Sequence, residues 1–420
     1  MFLKGNFPLS DAIAPTGGTD PSQIITFGCR LNLHESEEMA RLGAGQGKMI
    51  VVNSCAVTTS AERQARQAIR KIHRANPDAD IVVTGCASEI APDAYRALPG
   101  VTRIVPNREK LQAAQWASAP FESDVPEAPG QHIRAFLQVQ QGCDHQCTFC
   151  IIPHGRGASR SFPVEEVIAK ARSLIAAGHQ ELVVTGVDIA SWGVDLLGRP
   201  ALGTLCRAVL RNVPALRRLR LSSVDPAAFD DDLWTLIAEE PRLLPHLHLS
   251  LQAASNLVLK RMKRRHSRED ALHLVRRARD LRPDMAFGAD LIAGFPTETA
   301  AQAQETYDFV AECEIAYIHA FPYSERPGTP AARMPPVPHP QRTERAARLR
   351  ALGEANRRAY WSRLIGQETE ILMEKDGMGR SPHFAPVKIA SHLAQRGEII
   401  TVRLVALDNE AIVAEIGAHG

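Results

Sequence analysis

Phe136-Leu137-Gln138-Val139-Gln140-Gln141-Gly142-Cys143-Asp144-His145-Gln146-Cys147-Thr148-Phe149-Cys150 is the stretch on which the fold turns. A strand-like run near Phe136–Gln140 passes through a glycine into three cysteines spaced Cys-x3-Cys-x2-Cys. Five further strand-like runs follow near Glu181–Thr185, Arg218–Ser222, His246–Leu251, Ala286–Ile292 and Tyr317–Pro322, each succeeded by helical spacing. Ser161 and Pro163 are expected to open the first of these helices, with Glu165 and Glu166 in its first turn and Gly178 past its end. Six such units predict an incomplete parallel barrel, since the eight-unit form needs about 250 residues. Active groups in these barrels gather at the C-terminal ends of the strands, which is where the triplet falls.

Upstream, Ile24–Cys29, Met49–Cys55 and Ile81–Cys86 share one design, a β-rich run closed by a small residue and a cysteine. Helix-like sequence follows each, most clearly over Ser60–Ala75. Apolar strands alternating with helices predict a parallel α/β sheet with both faces covered. Ligands bind beyond the carboxyl ends of such strands, so Cys29, Cys55 and Cys86 are expected at one sheet edge. Arg41-Leu42-Gly43-Ala44-Gly45-Gln46-Gly47 is short and Gly-rich where a longer helix and loop is expected.

With 420 residues, 45% hydrophobic and 23% charged, the chain reads as an ordinary globular protein of two to three domains. No apolar run is long enough to span a membrane, and Met1–Asp20 reads as a tail, not a signal peptide. A cytoplasmic setting is expected, where regularly placed cysteines serve as metal ligands or catalytic groups more often than as disulfides. Cys206 and Cys313 sit inside helical patterns and read as small buried hydrophobes.

A Pro-rich stretch, Ala119–Gly130, separates an N-terminal domain (21–115) from the barrel (133–338). A basic helix (339–366) leads into a period-two region (367–420) that predicts a small antiparallel β-barrel. Leu257–Arg282 carries ten Lys/Arg against three Asp/Glu, and His339–Gly366 seven Arg against two Glu. The last region has five Lys/Arg against eight Asp/Glu, a poor match to phosphate. The two basic segments are therefore expected to supply most contacts to any nucleic acid.

Three thiolates can wrap one face of an iron–sulfur cubane, which normally takes four cysteines, and the missing fourth leaves an open, reactive iron. The alternative is a structural zinc with His145 or His154 as fourth ligand, and a protein that merely binds metal and RNA. At the other strand ends, Gly186 and Asp188, Asp225, Gln252, and Gly294 with Glu298 are the candidates for cofactor binding. Each is equally read as a turn glycine or helix cap.

Cys143, Cys147 and Cys150 at the head of a partial (βα)6 barrel resemble the radical S-adenosylmethionine (SAM) superfamily. With the three-cysteine N-terminal domain and a TRAM-like β-barrel at the end, residues 21 to 420 resemble the methylthiotransferases. That resemblance implies two [4Fe–4S] clusters, one held by Cys143, Cys147 and Cys150, which cleaves SAM. The other is an auxiliary cluster held by Cys29, Cys55 and Cys86. Thr26–Glu37, with its Glu35-Ser36-Glu37 ending, Gly142–Arg160 and Phe321–Pro330 are similar to the branch acting on N6-threonylcarbamoyladenosine in tRNA. The other branches act on isopentenyladenosine or on a ribosomal-protein aspartate. The implied reaction places a methylthio group at C2 of the modified adenosine beside the anticodon. The implied partners are a tRNA anticodon stem-loop, an electron donor and a sulfur source, with no membrane.

Overall fold

A computed structural model of the chain describes residues 23–116, 133–390 and 393–416. The leading tail and the Pro-rich boundary read from the sequence lie outside them. Two compact units emerge. The first joins residues 23–116 to Gln141–Ser159 and Ser324–Thr329, so the Cys143–Cys150 loop, which the sequence attaches to the barrel, groups with the N-terminal residues. The second holds the remaining described residues.

In the first unit, β1 (Gln23–Thr26), β2 (Met49–Ser54), β3 (Asp80–Gly85) and β4 (Val101–Ile104) form one parallel sheet in that order. Helices α1 (Arg30–Arg41), α2 (Thr59–Ala75), α3 (Cys86–Ile90) and α4 (Pro92–Arg96) connect them. Thr58 caps α2 by accepting from the Ala61 N–H. Val52, Ile81 and Val83 bury one sheet face against Ile69 and Tyr95. The Gly-rich stretch is a tight turn in which Gly43, Gly45 and Gly47 all adopt positive φ, which is why it needs no longer loop. Helix α5 (Ile152–Arg156) follows the cysteine loop.

The second unit opens with β5 (Arg134–Gln138). Two-residue strands β6 (Gln140–Gln141) and β7 (Arg160–Ser161) precede and follow the cysteine loop in the chain. Next come α6 (Val164–Ala176), β8 (Glu181–Thr185), α7 (Leu202–Asn212), β9 (Arg218–Leu221), α8 (Asp231–Glu239) and β10 (His246–Gln252). Then follow α9 (Asn256–Met262), α10 (Arg268–Leu281), β11 (Ala286–Ala293), α11 (Ala300–Glu312) and β12 (Tyr317–Pro322). Strands β5-β8-β9 and β10-β11-β12 form two parallel sheets, bridged at Leu219–Leu243 and Val224–Leu249. The six strands fall within two residues of those read from the sequence. One expected cap differs. The Ser161 hydroxyl accepts from the Gly193 N–H (2.8 Å), and Pro163 is the N-cap of α6.

Alternation along the strands sorts the side chains. Leu182, Leu219, Leu247, Leu249, Phe287 and Ala289 join the apolar core with the helices. Among the alternate positions, Arg218, Arg220, His246, His248 and Asp290 are polar, whereas Val183 and Gly288 are not. Arg134, Glu181 and Arg218 share one register, and Arg220 pairs with Glu181 at 2.7 Å.

Helix α12 (His339–Leu364) carries the seven arginines of the basic segment, of which Arg348, Arg350, Arg358 and Arg363 are exposed. Each has a partner inside this unit. Arg342 and Arg350 donate to the carbonyls of Tyr323 and Ala320, and Arg348 to Gln304. Arg345 and Arg363 pair with Glu298 and Glu314, Arg357 lies over Trp361, and Arg358 donates to Asn409. The helix is stapled down by its charges.

Strands β13 (Glu368–Lys375), β14 (Met378–Arg380), β15 (Pro386–Lys388), β16 (Ile399–Leu407) and β17 (Ile412–Ile416) close a small barrel. Every pairing is antiparallel except β15 with β17. Phe384, between β14 and β15, is buried against the N-terminal mouth of the larger barrel. Its ring stacks on His246 (4.9 Å), with the guanidinium groups of Arg134, Arg220 and Arg380 at 5.3, 5.0 and 4.5 Å. Arg134 and Arg380 both reach Glu374, at 2.8 and 3.0 Å.

Candidate functional site

In the first unit the register Thr26–Asn53–Thr84 aligns the ends of β1, β2 and β3. Cys29 is the N-cap of α1, Cys55 directly follows β2, and Cys86 is the first residue of α3. All three therefore stand at the carboxyl edge of the sheet. Asn32 donates to the carbonyls of Phe27 (2.8 Å) and Ser54 (3.1 Å), and Asn53 to the carbonyl of Asn32 (2.9 Å), fixing the strand ends against α1. Gly28 (φ +93°) lets the chain pass over Cys55, since a Cβ there would lie 2.3 Å from the Cys55 sulfur. Burial and the neighbouring Cys29 push the Cys55 thiol up to about 12, while the Val57 N–H, 3.4 Å from its sulfur, acts the other way.

The second triplet is built locally. The Cys143 N–H closes the loop on Gly157 (3.1 Å) and the Cys150 N–H turns back on Cys147 (3.1 Å). The N–H groups of His145 and Ile152 point at the sulfurs of Cys143 and Cys150, each at 3.4 Å. Each set offers three sulfurs, and Cys55 in the first and Cys143 and Cys150 in the second have a backbone N–H donor two residues on. That is the donor set of an iron–sulfur cluster with one site left open, and the residues fit it. None of the eight cysteines is in a disulfide, and Cys206 and Cys313 are buried in the barrel core.

Beside Cys86 lies a polar group that the sequence did not reveal. Glu35 is completely buried, paired with Lys110 (2.5 Å) and doubly with Arg156 (2.8 and 3.0 Å). Burial opposes its charge, yet the two cations hold its carboxyl down at about 2. Asn107 donates to the Gly155 carbonyl (2.5 Å) and reaches the Cys86 sulfur (3.7 Å). The α1 spacing of Asn32 and Glu35 was a visible signal of a shared polar face; Lys110 gave none.

The strand-end candidates of the second unit differ in what they have free. At Gly186 the backbone crowds Gln140, whose Oε1 accepts from the N–H groups of Val187 (3.0 Å) and Asp188 (2.8 Å). The Asp188 carboxylate accepts from Ser191 (2.5 Å). Burial would raise the Asp225 carboxyl, but His266 and Arg264 beside it hold it well below the usual range. Asp225 also caps the turn at Ala227 (2.9 Å). Gln252 ends β10 with φ +70°, a left-handed conformation rare outside glycine and typical of functional strain. Gly294 lies against Arg342, and its N–H donates to Glu298 (3.1 Å), which Arg345 also holds (2.7 Å). Asp225 and Glu298 are thus engaged inside the fold.

Lower in the lumen, Asp290 accepts from His248 (3.1 Å) and His319 (3.0 Å), while Ser223 reaches its other oxygen (3.2 Å). His246, His248 and Ser250 alternate with leucines in β10, and Tyr317 and His319 with Ile318 and Ala320 in β12, a polar period of two legible in the sequence.

The six-stranded barrel and the cysteine loop after its first strand define a radical SAM protein. The model of the radical SAM superfamily matches residues 137–310, and that of a family described as uncharacterized protein family UPF0004 matches 22–105. The threonylcarbamoyladenosine tRNA methylthiotransferase MtaB of Rickettsia prowazekii is 44% identical, over 92% of this chain and 95% of that protein. The tRNA-2-methylthio-N(6)-dimethylallyladenosine synthase of Cereibacter sphaeroides is 32% identical, over 93% and 97%. The radical SAM methyltransferase TsrM of Kitasatospora setae, solved with cobalamin and a [4Fe–4S] cluster, shares the fold with a TM-score of 0.53 at 16% identity, over 71% of this chain and 68% of that one. The chain belongs to the radical SAM methylthiotransferases, enzymes that work with SAM and [4Fe–4S] clusters. Among the described residues no helix is long and apolar enough to cross a membrane.

Proposed function

We propose that this enzyme inserts a methylthio group at C2 of N6-threonylcarbamoyladenosine beside the anticodon of tRNA, in the cytoplasm. The observation that supports the branch is the 44% identity to MtaB along nearly the whole of both chains, against 32% to the dimethylallyladenosine enzyme. Cys143, Cys147 and Cys150 hold the cluster that binds SAM, and Cys29, Cys55 and Cys86 hold the auxiliary one. When bound, the two clusters supply the electron that cleaves SAM and the iron that carries the sulfur. The C2–H bond resists acid–base chemistry, which is why a radical route is needed. The backbone N–H groups of Val57, His145 and Ile152 stabilise thiolate charge at the two sites. Gly186, Asp188, Gln252 and Gly294 shape the SAM pocket through their backbone, whereas Asp225 and Glu298 hold its rim through Arg264 and Arg345. An electron donor and a sulfur source are further partners.

Phosphate contacts fall to the exposed Lys260, Lys263 and Arg265 at the junction of α9 and α10, since Arg264 is turned inward to Asp225 (2.8 Å). Nucleoside mass spectrometry of tRNA from cells lacking the gene tests the assignment. The expected result is loss of the methylthiolated N6-threonylcarbamoyl nucleoside with accumulation of its precursor. Loss of methylthiolated isopentenyladenosine in its place would overturn it.

A further inference from the structure

Arg156 lies six residues beyond Cys150, and its guanidinium joins Gln141 (2.8 Å), just before Cys143, to the other cysteine site. Its Nη1 and Nη2 grip Glu35, and Nη2 also donates to Asn32 (2.5 Å) on the helix that Cys29 caps. Gly155, its neighbour, is pressed so close that a Cβ would stand 3.0 Å from that of Cys86. Its charge acts on Cys86 and Cys29, and on Cys55 as well. Lys110, wholly buried, backs Glu35 from the other side; burial pushes its ammonium down from the ordinary lysine range, and Glu35 and Cys86 beside it act the other way. Two cations against one carboxylate leave this trio one positive charge in excess. A buried excess charge is costly unless an anion lies beside it. The anion at hand is the trio's neighbour, a set of three thiolates, which remains anionic with an iron–sulfur core in place. Each electron added there makes it more so.

We propose that Arg156, seated by Glu35 and backed by Lys110, is the positioning cation of the Cys29/Cys55/Cys86 site and raises the reduction potential of the cluster held there. The inference rests on the reading that these cysteines carry that cluster. Because Arg156 belongs to the segment that follows Cys150, the SAM-binding loop carries part of the auxiliary site's electrostatics with it.

The test is an EPR-monitored redox titration of the full chain bearing Cys147→Ala, so that only the auxiliary signal remains. Three variants are added to this parent. Lys110→Met keeps the Glu35–Arg156 pair and loses one charge, Arg156→Gln loses the guanidinium, and Arg156→Lys keeps a charge. In the first two, the ratio of reduced to oxidised cluster at the parent's midpoint should fall about tenfold, which for one electron is a shift of about 59 mV to lower potential. Arg156→Lys should titrate close to the parent. Iron-loaded Lys110→Met and Arg156→Gln proteins with the parent's midpoint would overturn the inference alone. A parent that holds no cluster would overturn the reading beneath it and the inference together. If Arg156→Gln fails to fold, the comparison of Lys110→Met with the parent still decides.

Discussion

Cys143, Cys147 and Cys150 are gathered by one short loop; Cys29, Cys55 and Cys86 are gathered by a sheet. The loop needs only its own turns, closed by the Cys143–Gly157 and Cys150–Cys147 backbone bonds, to bring three sulfurs together. The sheet-edge set exists only when β1, β2 and β3 are in register, across separations of 26 and 31 residues, and it is uneven in depth, with Cys55 and Cys86 buried and Cys29 exposed. A local site costs little chain entropy to form and tolerates distant damage, whereas a site made by register is lost when any of its strands slips. Exposure follows function in the proposed scheme. The loop site, half-buried throughout, must admit SAM, while the sheet-edge site opens to solvent at Cys29 alone of its three cysteines.

The largest effect is expected from Cys147→Ala. One lost thiolate leaves the loop two ligands short of a normal four, so 5′-deoxyadenosine formation should vanish and iron content fall by about half. Product assay and iron analysis check this. Normal 5′-deoxyadenosine yield would remove the loop from the chemistry. Next, Cys55→Ala should leave SAM cleavage running but end formation of methylthiolated nucleoside, as read by mass spectrometry of reacted tRNA. Product at the usual level would make the sheet-edge cysteines structural.

Gly28→Ala sharpens the difference between a site made by register and one made locally. Its Cβ meets the Cys55 sulfur at 2.3 Å on a backbone at φ +93°, so the protein should lose roughly 1–3 kcal/mol of stability in denaturant unfolding. The iron lost should be that of the auxiliary site, with 5′-deoxyadenosine yield kept. Loss of SAM cleavage with the auxiliary signal intact would contradict the separation. The smallest effect is expected from Asn107→Ala. It removes the donor to Gly155 and should cost about 1 kcal/mol, with both clusters retained. A variant that loses either cluster would show that this contact holds the two sites together more strongly than one hydrogen bond can.

The six barrel strands and the three N-terminal ones were legible because each is a short run, either apolar or alternating apolar with polar as in β9 and β10, bounded by turns. Strand β4 was missed, being four residues with Thr102 and Arg103 exposed. Both cysteine sets were legible too, one from spacing and one from the common end of three strands. What the sequence withheld is pairing at a distance. Glu35 and Arg156 are 121 residues apart, and no local period links them. The arginines of α12 show the same limit from the other side. Their density was plain, but composition cannot tell a cation facing solvent from one holding Glu298 or the Ala320 carbonyl.

Phe384 turns the large barrel into a vessel with a stopper. Arg220, one of the three guanidinium groups around its ring, is kept dry, and Arg134, Arg380 and the Glu374 carboxylate between them are partly covered, only while the small barrel stays seated. Pulling that module away would flood Arg134, Arg220 and Glu181 with water and open the floor beneath His248, Asp290 and His319. The C-terminal module is therefore part of the large barrel itself, and cutting it off removes the base of the vessel.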